Sequence, residues 1–392
     1  MPNMRHIALL VLASRAYGRG ICLGVAASAM ERGDWLIYPH ERSEFKEMPG
    51  WLKRSRLDGI IAYIPTVELG RQLMGLNVPI VDVHGQGNCP TAPVLDTDPE
   101  QVARLAADFF RQAGFIHFGF CGYPGIFFSD RRSEAFERLL NEAGHRVEIY
   151  SPPPKVCASM DVLRRERGAL EYEAELSAWL VRVPKPIAIL ACNDIRGQQV
   201  INACRTLGIS MPDDVSVIGV DNDEIICRLC QPTLTSIAPD YERLGRMAVD
   251  MLARMIDGQE VEPRLWNLPP SRIVERESTD ITTAQHPIVL SASRIIRSRA
   301  NANLSVEQIC SMVGCSRSTL DNLFRKHLGR PVAREMLRVR LNRCRRLLED
   351  TDQTVDEIAR KCGFLSSTYF CRFFKRETGL SPSMFRAEHT GK

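Results

Sequence analysis

The last hundred residues contain one motif written twice. Val306, Ile309, Cys310 and Val313 recur at i, i+3, i+4, i+7 and give one apolar helix face. Gly314 follows. Forty-nine residues later the pattern returns as Val355, Ile358, Ala359 and Cys362, followed by Gly363. Each helix opens with a capping box, Ser305-Val-Glu-Gln308 and Thr354-Val-Asp-Glu357. Each glycine can take the left-handed conformation that a tight helix–helix turn needs. A second helix follows each turn, with Leu320, Leu323 and Phe324 inward in the first copy and Phe370, Phe373 and Phe374 in the second. The offset there is fifty, so the second turn is one residue longer.

Two helices joined by a short turn, the second carried outward on the first, form a helix-turn-helix. The motifs span 305–329 and 354–379. The outward face of the first reading helix is Arg317, Ser318, Asp321, Asn322 and Arg325. That of the second is Ser367, Thr368, Cys371, Arg372 and Lys375. These mainly polar side chains suit base edges and phosphates. Between the copies, Leu337, Leu341, Cys344 and Leu348 stripe a connecting helix from Val332 to Glu349. Its other faces carry Arg338, Arg340, Arg343, Arg345 and Arg346. From Gln285 to Lys392 there are 20 Lys and Arg against 10 Asp and Glu, in a chain whose net charge is only +4. The C-terminal part is therefore built to meet a polyanion, and the remainder is net negative. A plain helical bundle with a solvated basic surface would not explain two capped copies with matching glycine turns. Double-stranded DNA is the expected partner.

The earlier 280 residues read differently. Short apolar runs occur at 7–12, 35–38, 57–63, 78–83, 115–121, 147–150, 187–192 and 215–220. Helix-like segments lie between them at 99–112, 132–143, 197–207 and 240–256. Strands alternating with helices imply parallel sheets covered on both faces. The expected architecture is a two-lobed α/β sensor over 1–280, followed by an all-α DNA-binding domain over 285–392. Ligands in such folds sit at the carboxyl ends of the strands.

The second copy, from Thr354 through Gly363 and Pro382 to Arg386, closely resembles the signature of the AraC/XylS regulators. The resemblance implies two recognition helices entering successive major grooves. It favours activation, with RNA polymerase as a further partner. Cys310 departs from the alanine usual there. Upstream, Leu190-Ala-Cys-Asn-Asp194, Val215 to Asn222, Gln231 to Ile237 and Arg132 to Phe136 resemble the periplasmic-binding-protein-like sensor of LacI/GalR repressors. The headpiece that precedes those sensors is not found ahead of this one. By position, this resemblance implies a ligand cleft lined by Tyr17, Arg132, Asn193, Asp194, Arg196 and Asp221. The implied effector is a sugar, D-xylose or a related pentose. Carboxylates accept paired hydroxyls and an arginine fork donates to them, which suits a sugar. Pro239 stands where related sensors often carry glutamine, so one sugar contact is expected to be lost or rerouted.

No nucleophile–base–orienter set and no metal-ligand cluster is visible, so an enzyme and a cofactor are not expected. The alternative is an NAD-dependent oxidoreductase-like α/β domain fused to the DNA reader, since Gly18, Gly20 and Gly24 follow a strand like a dinucleotide fingerprint, but small packing residues in a helix explain them equally well. A sensor-less dimerisation scaffold is the third reading. The thirteen cysteines, including Cys227-Arg-Leu-Cys230, are expected to be reduced thiols used as small hydrophobes. With no membrane span or export signal, the cytoplasm is the expected location. A homodimer is expected because a single reader of this kind covers only a short site.

Overall fold

The computed structural model describes residues 4–40, 48–152, 162–167, 173–280, 287–298, 304–364 and 366–390. The chain divides into two compact units, Met1–Ile281 and Thr282–Lys392. The expected junction between 280 and 285 falls largely outside the described residues.

The first unit holds two six-stranded sheets. One comprises β1 (Arg5–Leu10), β2 (Trp35–His40), β3 (Gly59–Ala62), β4 (Ile80–Asp82), β5 (Val94–Thr97) and β11 (Leu265–Leu268). Its order is β11-β5-β4-β3-β1-β2, and every pairing is parallel. The other comprises β6 (Phe118–Cys121), β7 (Val147–Ile149), β8 (Ile187–Ala191), β9 (Val215–Val220), β10 (Thr235–Ala238) and β12 (Arg272–Val274). Its order is β12-β10-β9-β8-β6-β7, and only β12 runs antiparallel to its neighbour. Each sheet is the centre of one lobe. The runs are continuously apolar because both faces are covered. In β1 and just beyond it, Ile7, Leu9 and Val11 enter one core while Ala8, Leu10 and Leu12 enter the other.

The helices of this unit are α1 (Ala16–Arg32), α2 (Val67–Met74), α3 (Pro99–Gln112), α4 (Phe127–Glu142), α5 (Val162–Arg167), α6 (Glu173–Arg182), α7 (Asp194–Thr206), α8 (Glu224–Leu229) and α9 (Tyr241–Ile256). Several start on side-chain caps at strand ends: Asp98 for α3, Asn193 for α7, Asp223 for α8 and Asp240 for α9. The backbone passes between lobes after β5, after β10 and after β11. Pro239 lies in the second of these crossings, between β10 and α9. The helices α4 and α7 begin earlier than their apolar periodicity suggested. The short strands β5, β10, β11 and β12 had no apolar run long enough to announce them.

The glycines of α1 have a packing explanation. A Cβ on Gly24 would stand 2.0 Å from the Glu242 carbonyl oxygen, and one on Gly20 would stand 2.5 Å from the Tyr241 Cβ. They let α1 and α9 approach closely, and no phosphate cradle is needed to account for them.

The second unit comprises α10 (Pro287–Ser298), α11 (Val306–Val313), α12 (Arg317–Leu328), α13 (Val332–Asp350), α14 (Val355–Lys361), α15 (Ser367–Thr378) and α16 (Pro382–Thr390). Both capping boxes form, and Gly314 and Gly363 take φ of 70° and 76°. There are two cores. Ile309, Leu320 and Phe324 fill one, and Ile358, Phe370 and Phe374 fill the other. Burying each such side chain is worth about 1.5–3 kcal/mol. The connecting helix α13 joins them: Val332 and Val339 enter the first core, and Leu341, Cys344 and Leu348 enter the second. Its fully buried Glu335 pairs with Arg330 and Arg338. Burial works against that carboxylate, but the two arginines hold it below its usual pKa. Arg386 of α16 donates to the carbonyls of Leu348 and Gln353, tying the end of α13 down.

Candidate functional site

A cavity of about 110 Å³ lies in the first unit at the carboxyl ends of the strands. The first lobe contributes Tyr17, Tyr63, His84 and Asp96; the second contributes Arg132, Asn193, Asp194 and Asp221. Five of the six residues that the resemblance implied therefore share one cavity. Drug-sized sites run to roughly 300–1,000 Å³, so this one suits a small molecule.

Each of these side chains has a local reason for its position. Asp221 directly follows β9 with φ of 109°, and Asn222 comes next at 47°. Such a left-handed backbone costs about 1–3 kcal/mol in a residue other than glycine and persists only where the surroundings impose it. Asp221 Oδ1 accepts from Tyr241 Oη at 2.5 Å. Burial raises the Asp221 pKa, and Arg132 opposes that rise. The Arg132 guanidinium is buried and donates to the Cys192 carbonyl. Asp194 accepts from Asp223 N at 2.6 Å and Ser236 Oγ at 2.5 Å. Its pKa is raised well above the carboxylate range by burial, with the Asp221 charge adding to the effect. A Cβ on Gly219 would stand 2.2 Å from Asp194 Oδ1, so only glycine lets that carboxylate approach. Asn193 caps α7 by accepting from Arg196 N at 2.9 Å, and its Nδ2 donates to Glu166 at 2.9 Å.

The first lobe supplies the expected Tyr17 and, beside it, groups that sequence reasoning missed. Tyr17 Oη and His84 Nδ1 are buried without a hydrogen-bond partner. The Tyr17 ring stands edge-on to Tyr241 at 4.9 Å, and Tyr63 meets His84 at 4.2 Å. Burial lowers the His84 pKa to about 4, so the imidazole is neutral at pH 7. Burial also raises Asp96 to about 6, against the pull of Arg132. Behind the wall, burial raises Asp82 to about 7, although it accepts from His84 N. The signal was present in the sequence: Asp82, His84 and Asp96 end or follow strands, where ligands of such folds bind.

Arg196 is a correction. It does not line the cavity. Its guanidinium lies 5.0 Å from the Tyr123 ring centroid and 4.6 Å from that of Tyr150, and it donates to Gln199 Oε1 at 2.6 Å. Two aromatic faces hold the cation there. Pro239 is likewise outside the lining, in the hinge.

On the reading helices, Arg317, Ser318, Asn322, Arg325, Thr368, Arg372 and Lys375 are exposed, while Ser367 is half-buried. Arg317 also pairs with Glu307 at 2.6 Å. Two members of the expected faces are engaged internally. Asp321 accepts from Val332 N at 3.0 Å at the start of α13, and Cys371 is half-buried against the second core. Tyr369, more than half exposed and stacked on Phe373 at 6.4 Å, joins the second face.

Among the described residues, no group of three potential metal ligands and no helix able to cross a membrane occurs.

Comparison with known proteins matches residues 107–279 to a periplasmic binding protein-like domain and residues 309–388 to a helix-turn-helix domain. The chain is 29% identical to the xylose operon regulatory protein of Escherichia coli K12, over 98% of both chains. It is 27% identical to the protein of that name from Haemophilus influenzae, over 97% of both. A solved structure of a xylose-binding transcription activator superposes with a TM-score of 0.79 at 28% identity, covering 100% of both chains.

Proposed function

We infer that this chain, similar along nearly its whole length to the xylose operon regulatory proteins, is a sugar-responsive DNA-binding transcription regulator, with D-xylose or a pentose of its size as effector. The observation that carries the reading of the effector is the charge of the cavity. Asp96, Asp221, Asp223 and Glu166 outnumber Arg15 and Arg132 along its walls. Such a wall repels phosphorylated or acidic sugars and pairs with neutral hydroxyls. Tyr17 and Phe128 add ring faces for the C–H side of a sugar. The name shared by both relatives points to xylose and is the support for that choice.

In this reading Asp221, Arg132 and Asn193 hold hydroxyls from the second lobe. Tyr17 Oη and His84 Nδ1 gain their missing partners from the first. Only a closed cleft brings both sets to one sugar, so the sugar favours closure through contacts absent from the open state. Closure in a homodimer changes the spacing of the paired readers on operator DNA. Arg317 and Arg372 read bases, with RNA polymerase recruited as the outcome and the cytoplasm as the setting. The protein acts by binding and not by catalysis.

Calorimetric titration of the full chain with D-xylose, L-arabinose, D-ribose, D-glucose, xylonate and NAD tests this. Saturable binding of a neutral pentose, lost in Asp221→Ala, is expected. Binding of NAD or xylonate without any neutral monosaccharide overturns the reading.

A further inference from the structure

The first turn of α1 places two arginines where helix electrostatics resist them. Arg15 is the N-terminal cap residue and makes no side-chain cap bond; Arg19 lies one turn on, and no acidic residue occupies that turn. The unpaired amides there carry partial positive charge, which cations do not favour. The compensation comes from the other lobe. Arg15 pairs with Glu166 of α5, and Arg19 pairs with Asp223, the cap of α8, at 2.7 Å. Both carboxylates are nearly buried, with side chains 6% and 12% exposed, while the arginines stand at the mouth with 32% and 40%. Each carboxylate also holds part of the second-lobe wall. Glu166 accepts from Asn193 Nδ2, and the Asp223 backbone N–H donates to Asp194.

We propose that Arg15 and Arg19 form a charge clasp across the cleft that draws the lobes together without ligand, and so sets the sugar-free output and the sugar affinity together. Opening the cleft strips two buried carboxylates of their guanidinium partners and gives them water instead. The half-exposed arginines recover hydration at the same time, so each bridge biases the equilibrium modestly. A bias toward the closed state is nonetheless felt in full by the ligand. Apparent affinity scales with the fraction of protein already competent to bind. Arg19 does not line the cavity, so it acts through closure alone and is a positioning residue. The role in sugar affinity rests on the reading of the cavity as a sugar site, whereas the closure itself does not.

The test uses Arg19→Gln and the conservative Arg19→Lys in the full chain. All four tryptophans, Trp35, Trp51, Trp179 and Trp266, belong to the first unit, so their fluorescence reports it alone. Two readouts are needed: D-xylose binding and release by stopped-flow fluorescence, and hydrogen exchange of the sugar-free protein over α1, α5 and α8. Arg19→Gln is expected to bind sugar about fivefold more weakly, as a faster release. Exchange at the N-terminal turns of α1 and α8 should accelerate without sugar, and Arg19→Lys should recover most of both. Parent-like exchange in Arg19→Gln overturns the clasp, and so does unchanged sugar release in a variant that still binds. A parent protein that binds no sugar refutes the sugar reading, while the exchange arm still decides the clasp.

Discussion

Asp82→Asn should stabilise the sensor unit, and by an amount that depends on pH. Asp82 ends β4 fully buried, and burial raises its pKa from 3.8 to about 7. The folded protein therefore holds a proton that the unfolded chain has released. A raised carboxylate contributes its full stability below the unfolded pKa and loses it as pH climbs through the folded value. A shift of about three units corresponds to a ceiling of about 4 kcal/mol. Asparagine keeps an oxygen for the amide of His84, now 2.8 Å from Asp82 Oδ1, and carries no charge to desolvate. The gain should be under about 1 kcal/mol near pH 4 and approach its ceiling above pH 7. Urea unfolding followed by tryptophan fluorescence reports this unit in the full chain. A gain that stays flat between pH 4 and pH 8, or a loss at pH 8, would refute the argument that a desolvated carboxylate sits there.

Gly24→Ala should cost about 1–3 kcal/mol in the same unfolding assay, because the new Cβ would stand 2.0 Å from the Glu242 carbonyl oxygen and force α1 from α9. Phe370→Ala should cost about 3–5 kcal/mol in the second core and abolish DNA binding, with the tryptophan-detected transition unmoved. Arg372→Ala should cost about 1–3 kcal/mol at particular base pairs, measured by competition among operator variants. Arg343→Ala in the connecting helix should show no base-specific effect.

The helical reader was legible because its signals are local. Capping boxes, the 3.6-residue period and the turn glycines each sit within a few residues of what they determine, and both capping boxes form with Gly314 and Gly363 at positive φ. The parallel lobes were legible as apolar runs, but β5, β10, β11 and β12 were not, since Asp96, Ser236, Asn267 and Arg272 break the apolar pattern of these short strands. The cavity was half legible. Asn193, Asp194 and Asp221 could be found from neighbouring motifs and His84 carried only the weaker signal of following a strand, whereas Tyr241 is brought in by the crossing after β10, which no local window contains. Arg196 was misread for a related reason. It shares a helix start with Asp194, but successive helical residues face different ways, and the rings of Tyr123 and Tyr150 capture its charge. The buried thiols are consistent with small hydrophobes; the twelve described cysteines are all free, and Cys157 lies outside the described residues.

The central claim is that sugar and DNA are coupled through one chain. It is tested most directly by measuring both affinities both ways: fluorescence anisotropy of a selected operator duplex with and without saturating D-xylose, and calorimetric sugar binding with and without that duplex. Linkage requires that sugar raise DNA affinity by the same factor as DNA raises sugar affinity, about 5–150-fold for typical coupling energies. Saturable binding of both ligands with neither affinity changed by the other would contradict the account.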